Sequence, residues 1–578
     1  MLKIYRYLEP YTIPILAILA LVFLQSLADL YLPTLMSDIV NKGITNSDIN
    51  YILNTGSCML LVALAGSLCA IGASFFSSHV AAGLGEILRQ KIFSHITQFS
   101  LAEFDQIGPP SLITRTTNDV NQIQTVTIIL LRMMLSAPIM CVGGIILALS
   151  KDRGLAWIIV FVIPILFTVI IIAAAKGFPL FLKMQKKIDR LNLLLRERLT
   201  GVRVIRAFHR SADEEERFQD ANLELTQIAI KVNKIMATIL PIVMLCINLT
   251  TLAIIWFGSI RIDAGTTNVG NMIAFLQYAL QILFSLLMAS LMLIMLPRAQ
   301  ASAARINEVL ALKPSIKDFP ALITRRSSLH LRGLLEFEHV SFSYPGAEED
   351  ALFNISFKAR PGETTAIIGP TGAGKSTLIN LIPRFYEVSS GRILLDGIDI
   401  RELEQEDLRS RLGLVPQKAI LFSGTIYDNI RFGREDVSPQ EIEHAAEIAQ
   451  ALEFIQKMPQ GFESLIAQGG TNISGGQKQR LAIARALVGK PEIYLFDDSF
   501  SALDFKTEAK LRQALKRETN QATVIIVGQR VATIMDADHI IVLEDGKIVG
   551  RGKHCELYQN CSVYREIVVS QLSEDEIV

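Results

Sequence analysis

Residues 369–376, Gly-Pro-Thr-Gly-Ala-Gly-Lys-Ser, carry the strongest chemical pattern in the chain. The spacing G-x-x-x-x-G-K-S lets glycine backbone N–H groups turn inward onto phosphate oxygens, and a helix opening behind them adds a favourable dipole. Lys375 is expected to reach the β- and γ-phosphates of a nucleotide, and Ser376 to ligate Mg2+. Gly369, Pro370, Thr371, Gly372, Ala373, Gly374 and Thr377 complete the expected cradle. The run Thr364–Ile368 reads as a strand leading in, and a helical pattern follows Lys375. That strand–loop–helix context separates a phosphate loop from a chance match.

Two further stretches could work with this loop. The apolar run Ile493–Phe496 ends in Asp497 and Asp498. A strand delivering an acid to a metal has this form, and Asp497 is placed to hold Mg2+ through water. The plainer alternative is two acids capping the next helix. Upstream, Ser474-Gly475-Gly476-Gln477 opens a helical pattern with a hydroxyl and two permissive glycines, a second N-terminus suited to an anion.

The elements that must carry these groups divide the chain in two. At 578 residues it exceeds one core. Half the residues are hydrophobic, 19% are charged, and mean hydropathy is +0.37. The apolarity sits in the first 300 residues, in stretches 10–37, 52–85, 124–150, 155–175, 235–260 and 264–297. Most exceed the ~20 residues a helix needs to cross a bilayer. Their only Asp, Glu, Lys or Arg are Asp29 and Arg132, costly residues that are candidates for facing a cavity, each other or a substrate charge. From about residue 335, short apolar runs alternate with polar helices. The expected architecture is a six-span α-helical bundle at 1–310, a linker at 311–334, and an α/β nucleotide-binding domain at 335–578.

Basic residues cluster at 86–123 and 176–234. The positive-inside rule therefore puts those loops, the N-terminus and the soluble domain in the cytoplasm. The start, Met1 to Leu8, is expected to be an uncleaved amphipathic helix at the membrane surface. Net charge is zero, which argues against a nucleic-acid partner, and the six cysteines show no metal-ligand spacing.

Taken in order, these motifs resemble a half-transporter of the ATP-binding cassette (ABC) exporter family, and the likeness spans essentially the whole chain. Ile473–Gln477 resembles the family signature, with Ile where Leu is usual. The resemblance implies that Tyr344 stacks on adenine and that Gln417 links Mg2+ to the membrane-domain contact. It also implies that Ser501–Asp504 touches an opposite subunit, and that 103–120 and 197–208 form the two coupling loops. In the family each ATP lies between one subunit's phosphate loop and the other's signature, so one chain cannot complete a site.

The chain departs from the family at the hydrolytic residues. Asp498 stands where Glu is usual, Gln529 where His is usual, and Gln468 where Glu is common. A base must reach the attacking water, and Gln cannot titrate near pH 7. With the binding residues Lys375, Ser376 and Asp497 retained, the site whose implied catalytic group is Asp498, Gln529 and Gln417 is thus expected to bind ATP but turn it over poorly. The expected partner is a second, different half-transporter with Glu and His at these positions, as in heterodimeric bacterial multidrug exporters. Phe275, Tyr278, Phe284 and Met288 are expected to share a face on the last span and meet a hydrophobic or amphipathic substrate. A lipid flippase or importer on the same fold, or a regulatory subunit without transport, are the alternatives.

Overall fold

The computed structural model describes residues 1–317 and 332–572. Most of the expected linker, 318–331, lies outside the described residues. The chain packs as two compact units. One holds Met1–Ile96 with Pro110–Ala311; the other holds Thr97–Pro109 with Leu312–Val578.

Six long helices build the first unit: α1 (Thr12–Asp38), α2 (Ile49–Ile96), α3 (Val120–Lys151), α4 (Ala156–Thr200), α5 (Ser211–Asp263) and α6 (Val269–Ala311). Six helical segments of the described chain are long and apolar enough to cross a membrane. In such a segment every backbone polar group must be satisfied internally, so continuous helices are the solution these residues adopt. Small residues permit the close crossings. A Cβ added at Gly66 on α2 would lie 3.1 Å from Ala28 of α1, and one at Gly144 on α3 would lie 2.8 Å from Ile282 of α6. At the N-terminus the structure has a short helix, Leu2–Tyr5.

Below the apolar spans, polar groups take over. A π-helical turn at Arg115–Asp119 opens α3 and points Asp119 at α6. Asp119 is buried; Arg305 Nε donates to its Oδ2 at 2.7 Å and Ser302 Oγ to its Oδ1 at 2.9 Å. Arg115 bonds the carbonyl of Arg305 at 3.0 Å and pairs with Glu308 at 2.9 Å. With this geometry the buried charges are satisfied and the two helices are locked in register.

The second unit contains a two-stranded sheet of β7 (Gly424–Thr425) and β8 (Leu465–Ile466), and two larger sheets. One is antiparallel, in the order β2 (Leu352–Ala359), β1 (Leu335–Phe342), β4 (Ser390–Leu395), β5 (Ile398–Asp399). The other runs β12 (Lys547–Gly552), β11 (His539–Glu544), β3 (Thr364–Ile368), β10 (Thr523–Val527), β9 (Ile493–Asp497), β6 (Leu412–Val415). From β11 to β6 the neighbours are parallel. Strands β9 and β10 are buried at every residue, as expected of a parallel sheet covered on both faces. Helix α7 (Lys375–Leu381) follows β3, α8 (Gly475–Val488) precedes β9, and α9 (Phe505–Glu518) follows it.

Candidate nucleotide site

Parallel register decides where chemistry can gather. Val527 of β10 pairs with Ile367 of β3 and Asp497 of β9, and Val415 of β6 pairs with Phe496. Four adjacent strands therefore end at one edge. Beyond those ends lie the 369–376 loop, Gln529, the two aspartates and Gln417. Ligand crevices of open α/β sheets form outside the carboxyl ends of the strands.

Within the loop, Gly374 holds φ +90°, and a Cβ there would come within 2.7 Å of Leu352. At Gly369 a Cβ would collide with the carbonyl of Leu543. Both positions require glycine. Lys375 Nζ donates to the carbonyls of Gly369 and Pro370 at 2.8 and 2.7 Å, folded back over the loop it belongs to. Burial lowers its proton affinity, while Asp498 and Asp497 pull the other way.

Ser376 Oγ donates to Asp497 Oδ1 at 3.0 Å, and Gln417 Nε2 donates to Asp498 Oδ2 at 3.3 Å. Burial raises both carboxyl pKa values above the ordinary aspartate value, overriding these hydrogen bonds. Two half-satisfied acids side by side favour any cation, metal or proton. Among the described residues no group of three His, Cys, Asp or Glu forms. A metal at this edge would draw on hydroxyl, carboxylate and amide oxygens plus phosphate, the hard donor set that suits Mg2+.

Tyr344 follows β1; its hydroxyl shares a 3.0 Å hydrogen bond with Thr377, and its ring meets Phe342 and Tyr386 edge-on. Thr371 lies in the loop preceding α7, and Gly372 has φ +88° with open space where a Cβ would be. At α8 the Ser474 hydroxyl accepts the Gln477 N–H at 3.3 Å, while Gln477 Oε1 accepts the Ser474 N–H at 2.9 Å. This capping box fixes the helix start and leaves Ser474 and Gly475 exposed.

Gln529 is exposed, and its loop is held by a residue the sequence did not single out. Gln571 Nε2 donates to the carbonyl of Gln529 at 2.8 Å, and Gln571 Oε1 accepts the N–H of Val531 at 2.8 Å. No local pattern marks a glutamine that acts 40 residues away.

The membrane helices divide the expected apolar face. Phe275 and Phe284 are nine residues apart, about two and a half helical turns, so they point to opposite sides of α6. Phe275 and Tyr278 are fully buried, and Tyr278 OH bonds Thr34 at 2.6 Å and the Leu30 carbonyl at 3.2 Å. Phe284 and Met288 instead line a cavity. The expectation of one shared face is corrected by the helical period itself. Asp29 lines that cavity and Arg132 does not.

A six-helix apolar unit and a phosphate-loop α/β unit on one chain define a membrane transport ATPase. The chain belongs to the ABC transporter family. Residues 15–286 match the ABC transporter transmembrane region, and 352–501 match the ABC transporter family. An ABC transporter ATP-binding protein of Mycobacterium tuberculosis is 44% identical over 571 residues, covering 98% of this chain and 97% of the relative. The Bacillus subtilis ABC transporter ATP-binding protein YfiB is 39% identical over 575 residues, covering 100% and 99%. A Mycobacterium bovis protein named as a fatty acid ABC transporter ATP-binding/permease protein is 34% identical over 481 residues, covering 83% and 75%. Among solved structures, a bacterial Atm1-family ABC exporter with ATP bound superposes with TM-score 0.80 at 26% identity, covering 97% and 98%. The chain is an ABC exporter half-transporter: a nucleotide-binding, multi-pass membrane protein coupling ATP to transport.

Proposed function

We propose that the chain is one subunit of a heterodimeric exporter of hydrophobic or amphipathic compounds across the cytoplasmic membrane, with the N-terminus and nucleotide domain on the cytoplasmic side. ATP supplies the phosphoanhydride and Mg2+ the charge neutralisation. Glycine-rich backbone of 369–374 and Lys375 hold the phosphates, Thr377 closes the loop behind them, and Tyr344 meets the base. Ser376, Asp497 and Gln417 hold the metal. Asp498 and Gln529 occupy the positions that address the attacking water, and Ser474–Gln477 serves the partner's nucleotide.

The observation that carries this reading is the pair Asp498 and Gln529, at the ends of adjacent strands. One carboxylate is a methylene short, about 1.5 Å, and the other group cannot accept a proton at neutral pH. Misplacement on the order of 1 Å costs as much as ~100-fold in rate. The binding residues are kept while the hydrolytic ones are changed, which fits a slow site paired with a competent one on another chain. Changing Asp498→Glu and Gln529→His together should raise turnover at this chain's site roughly 10- to 100-fold in the assembled transporter. Unchanged turnover would show that these residues do not limit the site. Co-purification from the native membrane should return a second half-transporter chain with Glu and His at the two positions.

The fatty acid transporter relative favours a second reading, in which the amphiphile carries a carboxylate. Uptake of a fluorescent fatty acid into inverted vesicles, set against a fluorescent cation, separates the two.

A further inference from the structure

The cavity between α1, α3 and α6 has a volume of about 470 Å3, within the range of small-molecule sites. Its charged lining is one-sided. Asp29 is the sole acid in the long apolar runs, and its carboxylate has the Gln25 side chain as a hydrogen-bonding neighbour. Gln281 Nε2 is committed to the Asp29 carbonyl at 3.0 Å, leaving its buried Oε1 without any partner. Among the described residues, no Lys, Arg or His lines the space. Gly66 on α2 leaves room beside the Asp29 carboxylate, with a Cβ position 4.0 Å from Oδ1.

The Asp29 carboxylate thus lines a cavity that offers it amide and hydroxyl neighbours (Gln25, Ser26, Ser136, Ser285) but, among the described residues, no cation. A buried acceptor without a donor, and a carboxylate without a cation, are each costly in a membrane interior. A ligand bearing positive charge resolves the second. Ser26, Ser136 and Ser285 apart, the remaining wall is soft and mostly apolar. Met133, Met140 and Met288 can reshape around varied bodies, and the Phe284 ring offers a face to a cation.

We propose that this cavity binds the protonated amine of an amphipathic cation, with Asp29 as counter-ion. The inference rests on the export reading above and names its substrate class. It excludes a fatty acid carboxylate, which Asp29 would repel. The ammonium can belong to a free amine or to an aminophospholipid headgroup, and the test separates them.

The transporter, assembled with its partner chain, is placed in nanodiscs of phosphatidylglycerol and titrated with a fluorescent lipophilic amine and its neutral analogue. Asp29→Asn should weaken binding of the amine roughly ten- to thirtyfold and leave the neutral analogue nearly unchanged. Asp29→Glu should restore most of the difference. Displacement of the probe when phosphatidylethanolamine is added identifies the lipid as the source of the ammonium; lack of displacement identifies the free amine. Equal amine affinity in wild type and Asp29→Asn overturns the proposal. Uptake into inverted vesicles keeps the two failures apart. If wild type moves both probes while Asp29→Asn moves the amine equally well, the site is wrong and export stands. If wild type moves neither probe under ATP, the export reading itself falls.

Discussion

Asp498 holds a left-handed backbone, φ +47°, just past the end of β9. Asp tolerates that region better than most residues because its short carboxylate does not crowd the chain. Its N–H donates to Val527 at 2.9 Å and its carbonyl accepts the Ser501 hydroxyl at 2.9 Å, so the direction of the side chain is fixed from both sides. Little freedom is left for the backbone to make up the missing methylene. Lys375 is fixed differently, buried and folded onto the Gly369 and Pro370 carbonyls. It must leave those carbonyls to meet phosphate, exchanging two neutral acceptors for anionic ones. Lys375→Ala should therefore lower the affinity of this chain's site for ATP by roughly tenfold or more. Photolabelling of the assembled transporter with an azido-ATP, resolved by chain, reads this directly. Undiminished labelling of this chain would show that the nucleotide is held elsewhere.

At the scale of elements, the short helix Leu101–Ile107 shows how a loop becomes part of a soluble unit. Ser100 caps it: its hydroxyl accepts the Ala102 N–H at 3.2 Å, and Glu103 Oε2 accepts the Ser100 N–H at 2.7 Å. The same glutamate accepts the Ser315 N–H at 3.1 Å, and Asp105 accepts the Tyr386 hydroxyl at 2.7 Å. Burial pushes the Glu103 carboxyl up, but the Ser100 and Ser315 hydrogen bonds outweigh it and hold the pKa below the ordinary 4.5. A lowered folded value means the stabilisation is whole above about pH 4.5 and fades as pH falls through the folded value. Glu103→Gln should loosen this helix by about 1 kcal/mol at pH 7 and remove most of that pH dependence. Hydrogen exchange at residues 101–107, followed from pH 7 to 4, checks both. The spacing Ser100-x-x-Glu103 was open to inspection, as was the whole phosphate loop, because cap and loop signals are local. Ser315 and Tyr386 were hidden because they lie far along the chain. The same holds for Gln281, whose orphaned oxygen exists only once α1 and α6 are packed. The six spans could be read from length and apolarity alone. Which side of α6 each aromatic faces could not be had from residue type without its helical phase, as Phe275 and Phe284 show.

For the whole molecule, the decisive asymmetry is between one phosphate loop with altered hydrolytic residues and one nearly intact signature. If each nucleotide lies between two chains, lesions in these two parts of the same subunit strike different sites. Ser474 caps α8 through Gln477, and both Ser474 and Gly475 are exposed, as a surface meeting another subunit's nucleotide must be. A Gly475→Asp change sets a carboxylate against phosphate at a helix N-terminus, reversing the favourable field. In the proposed heterodimer this should cut the total ATPase rate by roughly 100-fold, because the site proposed to be competent is the one lost. Lys375→Ala in the same chain should leave a substantial fraction of that rate, because it empties only the site proposed to be slow. The two variants, each assembled with wild-type partner and assayed for phosphate release, give a ratio that depends on architecture rather than on folding. In a homodimer every site contains both a phosphate loop and a signature of this chain, so the two lesions would abolish turnover alike. Unequal loss, with the signature change far the worse, is the outcome that a slow site on this chain and a competent one on its partner require.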